Sequence, residues 1–161
     1  SKIERNRMRK EETIDHNIKA AWHAISRMYN QQATKHDITT SIGFVLLNIH
    51  SDDGTPATKI APLMGLEARS LTRMLKTMEE KKLIYRVQDR IDKRSVRIFL
   101  TDLGKRKKEI SRETVLLFNN RVREAVSENK LKVFFEVMNE INQLAAQGIS
   151  ETEEVGNNNY S

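Results

Sequence analysis

The 161-residue chain contains no cysteine. That excludes disulfides, thiolate metal ligands and a thiol-based redox sensor. No apolar run approaches the roughly 20 residues that a membrane-spanning helix needs, so no membrane segment is expected. No signal peptide is visible, which makes the cytoplasm the expected location. Four histidines, His16, His23, His36 and His50, show no metal-ligand spacing on one helix. There is no phosphate-binding loop, no G-x-S-x-G and no dinucleotide fingerprint, and Ser, His and Asp form no readable triad. The chain is therefore not expected to be an enzyme or to need a metal or cofactor. It shows no internal repeat, and its length suits one domain or one compact subunit.

Charge is present, and it is unevenly placed. The chain holds 28 Lys/Arg against 22 Asp/Glu, a surplus of six. Residues 55–100 alone hold eleven against five, again a surplus of six. The other 115 residues balance at 17 against 17. A net positive charge confined to one segment marks where a polyanion is expected to bind.

That segment reads as helix, turn, helix and two-stranded hairpin. Over residues 67–81, Leu71, Met74, Leu75 and Met78 recur at i, i+3, i+4 and i+7, one buried helical stripe. Arg69, Thr72, Arg73 and Lys76 follow the same spacing on the opposite side, and Ser70 sits near the helix start. Arg can pair bidentately with guanine, and Ser or Thr can bond several bases. The competing reading is a solvated basic helix face. Upstream, Thr55 is expected to cap a helix and Pro56 to take its first position. Ile60, Ala61, Leu63 and Met64 are its expected core contacts, and Gly65 ends it in a tight turn. Pro62 cannot donate to the Thr58 carbonyl, so this helix is predicted to be short or kinked, with some 3-10 character at its start. Downstream, residues 83–87 and 96–100 read as strands. The tip between them carries Asp89, Arg90, Asp92, Lys93 and Arg94, suited to a minor groove or to an internal Asp92–Arg94 ion pair.

The stretch IAPLMGLEARSLTRMLKTMEEKKLIYRVQDRIDKRSVRIFLTDLGK resembles the winged helix-turn-helix core of the MarR/SlyA family of bacterial transcription regulators. The most specific part is the wing, a D-x-R-D-x-R run followed by a hydrophobic strand and L-T-x-x-G. Here it reads Asp89-Arg90-Ile91-Asp92-Lys93-Arg94, then Leu100-Thr101-Asp102-Leu103-Gly104. Two positions depart from the pattern. Ile91 replaces a basic residue, and Lys82 stands where many members have Gly, which would require a left-handed lysine or another helix ending. The resemblance implies a mainly α fold with a small β-hairpin wing, flanked by N- and C-terminal dimerisation helices. It implies a homodimer that binds double-stranded DNA at a near-palindromic operator, acting as a repressor and released by a small aromatic effector. On that reading Arg69, Ser70, Thr72 and Arg73 meet bases, Lys76 meets phosphate, and Arg90, Lys93 and Arg94 belong to the wing. Trp22, His23, Tyr29 and Met64 are the expected walls of an effector pocket. The alternative is a winged-helix protein–protein interaction module without specific DNA binding; the charge surplus stands against it.

The flanks read as helices. Residues 1–12 are a frayed arm or first helical turns. Residues 13–36 carry Ile14, Ile18, Ala21, Trp22, Ile25, Met28 and Tyr29 as one stripe, with Trp22 a core or interface residue. Residues 39–41 offer the next cap, with Ile42, Val45, Leu46 and Ile49 buried, and residues 51–54 form a turn. Thr101 is placed to cap a helix through 125, in which the basic run from Lys105 to Lys108 either touches phosphate or is solvated. A last helix starts at Ser127 or Glu128, presents Leu131, Phe134, Phe135, Met138, Ile141 and Ala145, and stops at Gly148. The expected organisation is a dimerisation helix at 1–36, the DNA-binding module at 37–100, dimerisation helices at 101–147 and a disordered tail at 148–161. The apolar stripes are satisfied by interleaving two chains, or by burying each other within one.

Overall fold

The structure is a computed structural model that describes residues 8–155. The described residues divide into two units, 26–118 and 8–25 with 119–155. The division falls inside two long helices, not at their ends. Residues 1–7 and 156–161, with most of the expected arm and part of the expected tail, lie outside the described residues.

In residues 26–118 the order is the end of α1 (Ile14–Thr34), α2 (Thr40–Leu47), β1 (Thr55–Pro56), α3 (Ala57–Met64), α4 (Ala68–Glu80), β2 (Ile84–Gln88), β3 (Val96–Leu100) and the start of α5 (Asp102–Ala125). Thr39 starts α2, its hydroxyl accepting the Ile42 amide at 3.1 Å. The helix is short and apolar, and Ile42, Val45 and Leu46 are buried. They join Ile49, Ile60, Leu71, Leu75, Met78, Leu83, Ile98 and Leu100 in one core. Each such side chain contributes on the order of 1.5–3 kcal/mol by leaving water. The core therefore fixes α4 and the hairpin together, which holds the exposed face of α4 at a set angle to the wing.

The sheet is antiparallel with the order β1-β3-β2. Thr55 pairs with Ile98 and Pro56 with Arg97, so Thr55 does not cap α3 as expected. Its hydroxyl instead accepts the His50 amide at 2.9 Å, and the extended Pro56 is the N-cap. The α3 helix is short, as Pro62 demands, but it is α-helical throughout, without the expected 3-10 start. Leu63 lies outside the core, 65% exposed, whereas Met64 packs partly buried against it. Gly65 takes φ 64° and passes its amide to Ala61 and Pro62, closing the turn into α4.

In the other unit, the 3-10 turn Lys10–Glu12 precedes α1, and Ser127 caps α6 (Glu128–Gln147) by accepting the Lys130 amide. Gly148 ends α6 at φ 74°, and residues 149–155 are exposed without helix or strand. No residue of α6 is buried. Ile14, Ile18, Trp22, Val133, Phe134, Phe135 and Leu144 all remain substantially exposed. Among the described residues no helix is long and apolar enough to cross a membrane.

Candidate nucleic-acid interface

The α4 helix separates its faces cleanly. Leu71, Leu75 and Met78 are buried in the core, while Arg69, Ser70, Thr72, Arg73 and Lys76 are all exposed. The Thr72 hydroxyl donates to the Ala68 carbonyl at 2.9 Å, which fixes its rotamer and leaves its oxygen free to accept. The helix ends at Lys81, and Lys82 takes the left-handed φ of 60°. Its amide donates to Glu79 and the Leu83 amide to Met78, so the lysine fills the role usually taken by glycine.

The structure sorts the basic residues of this module by what they touch. Arg86 Nε donates to Glu79 Oε2 at 2.7 Å, tying β2 to α4. Arg97 Nη1 donates to the carbonyls of Asp53 and Gly54 at 3.0 and 3.3 Å, tying β3 to the preceding loop. Lys81 lies 3.9 Å from Asp37. Among the described residues, Arg69, Arg73, Lys76, Arg90, Lys93 and Arg94 form no ion pair. Their charges face solvent uncompensated. The bracing roles of Arg86 and Arg97 have no sequence signal beyond alternation along the strand.

The wing turn is built by carboxylates bonded to backbone, and the alternative Asp92–Arg94 ion pair does not form among the described residues. Asp89 Oδ1 accepts the Ile91 amide at 2.9 Å and the Asp92 amide at 3.4 Å. Asp92 Oδ1 accepts the Arg94 amide at 3.1 Å, and its Oδ2 accepts the Ser95 hydroxyl. Gln88 Nε2 donates to the Lys93 carbonyl. The Ile91 amide, then the Asp92 amide, holds the Asp89 carboxyl below the usual carboxylate range, with Arg97 adding a smaller pull. This leaves the Arg90 and Arg94 side chains outside the bracing. A D-x-x-D run between strands is the sequence signal for such turns.

Lys108 does neither thing expected of it. Its Nζ donates to the Ile49 carbonyl at 2.7 Å and the Ser51 hydroxyl at 2.9 Å, a structural clamp. Burial lowers its pKa, against the opposing pull of Asp52 and Glu109.

A cleft open to solvent lies in the same unit. Tyr29, Ile38, Gly43, Phe44, Ile110 and Ser111 are among its walls. Tyr29 meets Phe44 and Phe118 edge-on at 6.0 Å each. Of the four expected wall residues only Tyr29 lines this cleft. Met64 packs against the core, and Trp22 and His23 are exposed on the part of α1 belonging to the other unit.

A helix-turn-helix whose second helix presents a basic face, followed by a hairpin with a basic tip, defines a winged helix-turn-helix protein. The sequence profile of the MarR family matches residues 38–96. The HTH-type transcriptional regulator SarZ of Staphylococcus aureus is 31% identical over 105 residues, 63% of this chain and 71% of that protein. The chain belongs to the MarR family. It is also 35% identical over 88 residues to the HTH-type transcriptional regulator TtmR of Methylorubrum extorquens, 55% of this chain and 45% of that protein, so it spans under half of that relative's length. The fold superposes on S. aureus MepR in its DNA complex with a TM-score of 0.76 at 23% identity, over 81% of this chain and 97% of the other.

Proposed function

We propose that the chain is a sequence-specific, double-stranded DNA-binding transcriptional regulator, working as a homodimer and a repressor in the cytoplasm, without enzymatic activity. The observation that carries this is the sorting of cations. Those that brace the module are paired, and those on α4 and the wing tip are left to solvent. Arg69, Ser70, Thr72 and Arg73 sit where a recognition helix meets base edges in the major groove. Lys76, one turn further along, falls to phosphate, and Arg90, Lys93 and Arg94 reach the flanking minor groove. An interaction module would instead need exposed apolar residues on α4, and that face offers none.

The exposed stripe of α1 and the broad apolar face of α6 support the dimer. A second copy removes that surface from water, and twofold symmetry sets two recognition helices about 34 Å apart, one turn of B-DNA. Residues 1–36 and 101–147 supply that interface around the 37–100 module. The Tyr29–Phe44 cleft is the site for a small aromatic effector, since ring edges favour an aromatic guest and the cleft abuts the DNA-binding core. Fluorescence anisotropy on DNA from the gene's own upstream region, with random duplex as competitor over a range of salt, tests the reading. Saturable binding at two chains per duplex that survives competitor is expected. Binding that competitor and salt abolish equally would overturn it.

A further inference from the structure

The wing tip carries a side chain that the fold does not use. Ile91 is 97% exposed, the highest value of any large apolar residue among those described. It stands among Arg90, Lys93 and Arg94. Nor is it loosely held. The Asp89 carboxylate grips the Ile91 and Asp92 amides, the Asp89 amide donates to Ser95, and the Ser95 amide returns to Asp92. A bare apolar side chain is thus presented from a turn braced by Asp89 and Asp92, in a segment whose Arg90, Lys93 and Arg94 draw it toward a polyanion.

We propose that Ile91 is an apolar wedge that enters the minor groove and opens a base step, so that the chain reads its flanking sequence through deformability. This role rests on the DNA-binding function proposed for the chain. An arginine at a wing tip is drawn to the narrow, strongly negative groove of an A-tract. Isoleucine has no charge to draw; its surface gains only by leaving water. Branched apolar side chains inserted from the minor groove partly unstack a step and kink the duplex. Pyrimidine–purine steps yield at the lowest cost, so a flank with a TA step is favoured over an A-tract. The β-branch restricts χ1, so little side-chain freedom is lost on insertion. Arg90, Lys93 and Arg94 enter the same groove beside the wedge, and their charge favours its approach to the polyanion.

The test uses the full chain. High-affinity duplexes are first selected from a randomised pool. The selected duplex is then remade with a TA step or an A-tract in each flank, and with 2-aminopurine at the flanking step. Wild-type protein should prefer the TA version and brighten 2-aminopurine as the step unstacks. Ile91→Ala should lose the brightening and bind the TA version about tenfold more weakly. Ile91→Met should restore the brightening, and Ile91→Arg should move the preference to the A-tract. Variants at position 91 keep the turn, because Asp89 binds the backbone amide and not the side chain. Equal affinity, preference and fluorescence for wild type and Ile91→Ala would overturn the wedge while leaving the DNA-binding reading intact, and would hand the exposed isoleucine to a protein partner. Failure of the wild type to select any duplex would remove the DNA-binding reading itself, and the wedge with it.

Discussion

The Leu83 carbonyl accepts both the backbone amide and the side-chain hydroxyl of Thr101, at 3.0 and 3.1 Å. The single hydroxyl proton is shared with the Lys82 carbonyl, the nearer acceptor at 2.7 Å, and the hydroxyl oxygen accepts the Gly104 amide at 3.0 Å. One threonine therefore caps α5 and clips it to the chain leaving α4. The clip works only because Gly104 lies flat against the same carbonyl. A Cβ on Gly104 would stand 2.0 Å from the Leu83 oxygen, a backbone atom that cannot rotate away. Gly104→Ala should therefore destabilise by more than about 3 kcal/mol, well above an ordinary helix substitution, because the backbone of residues 82–84 must move. Thermal unfolding followed by circular dichroism checks this. A melting point within a degree or two of wild type would refute the close approach.

Lys82 offers the opposite sign. A left-handed lysine at φ 60° keeps its Cβ close to a carbonyl, at about 1–2 kcal/mol. Glycine removes that strain but makes the unfolded chain freer, which offsets part of the gain. Lys82→Gly should stabilise by about 0.5–1 kcal/mol in urea unfolding, with an unchanged m-value. Destabilisation would mean that the lysine side chain contributes more than its backbone loses.

Local periodicity makes α4 legible from the sequence, since four apolar residues at 3.6 spacing specify both a buried stripe and its opposite face. Gly65 is legible for the same reason, because helix ends have short-range rules; at Lys82 the family resemblance left two endings open, and the left-handed one forms. The Thr55–Pro56 strand is not, because two residues have no period and the partner of Thr55, Ile98, lies 43 positions away. Charge alternation in the wing suggests an ion pair, whereas a carboxylate two residues from an amide reaches that amide first. The cleft is the least legible. Its walls come from α1, α2 and α5, and only the tertiary approach of α2 to α5 at Gly43 and Ser111 brings them together. Trp22 stands out in the sequence as the only tryptophan, yet it is 49% exposed in the single chain.

The wing turn should respond to acid. The Asp89 pKa is lowered by the Ile91 and then the Asp92 amide. A lowered carboxylate contributes order above its ordinary value near 4, and that order is lost as pH falls through the lowered folded value. Amide resonances of Ile91 and Asp92 should hold their positions at neutral pH and shift together only below the ordinary carboxylate range. Asp89→Asn should abolish this response while its amide oxygen still accepts the turn amides, and Asp89→Ala should abolish it and soften the tip. Titration of those amides at the ordinary carboxylate pH would show that the bonds are not retained in solution.

Effects on DNA should divide along the sorting of the cations. Arg73→Ala, on the exposed face of α4, should cost about 1–3 kcal/mol and relax the preference at one base pair of each half-site. Lys76→Ala should weaken all sequences alike and flatten the logarithmic salt dependence by roughly one unit for each phosphate no longer neutralised. Arg97→Ala should behave differently from both. Its guanidinium is committed to the Asp53 and Gly54 carbonyls, so the variant should be less stable by about 1 kcal/mol with its DNA affinity intact. At a temperature where the variant remains folded, its salt slope should equal that of wild type. A slope reduced by a full unit in Arg97→Ala, with Lys76→Ala unchanged, would reverse the assignment, placing the strand rather than the helix against phosphate.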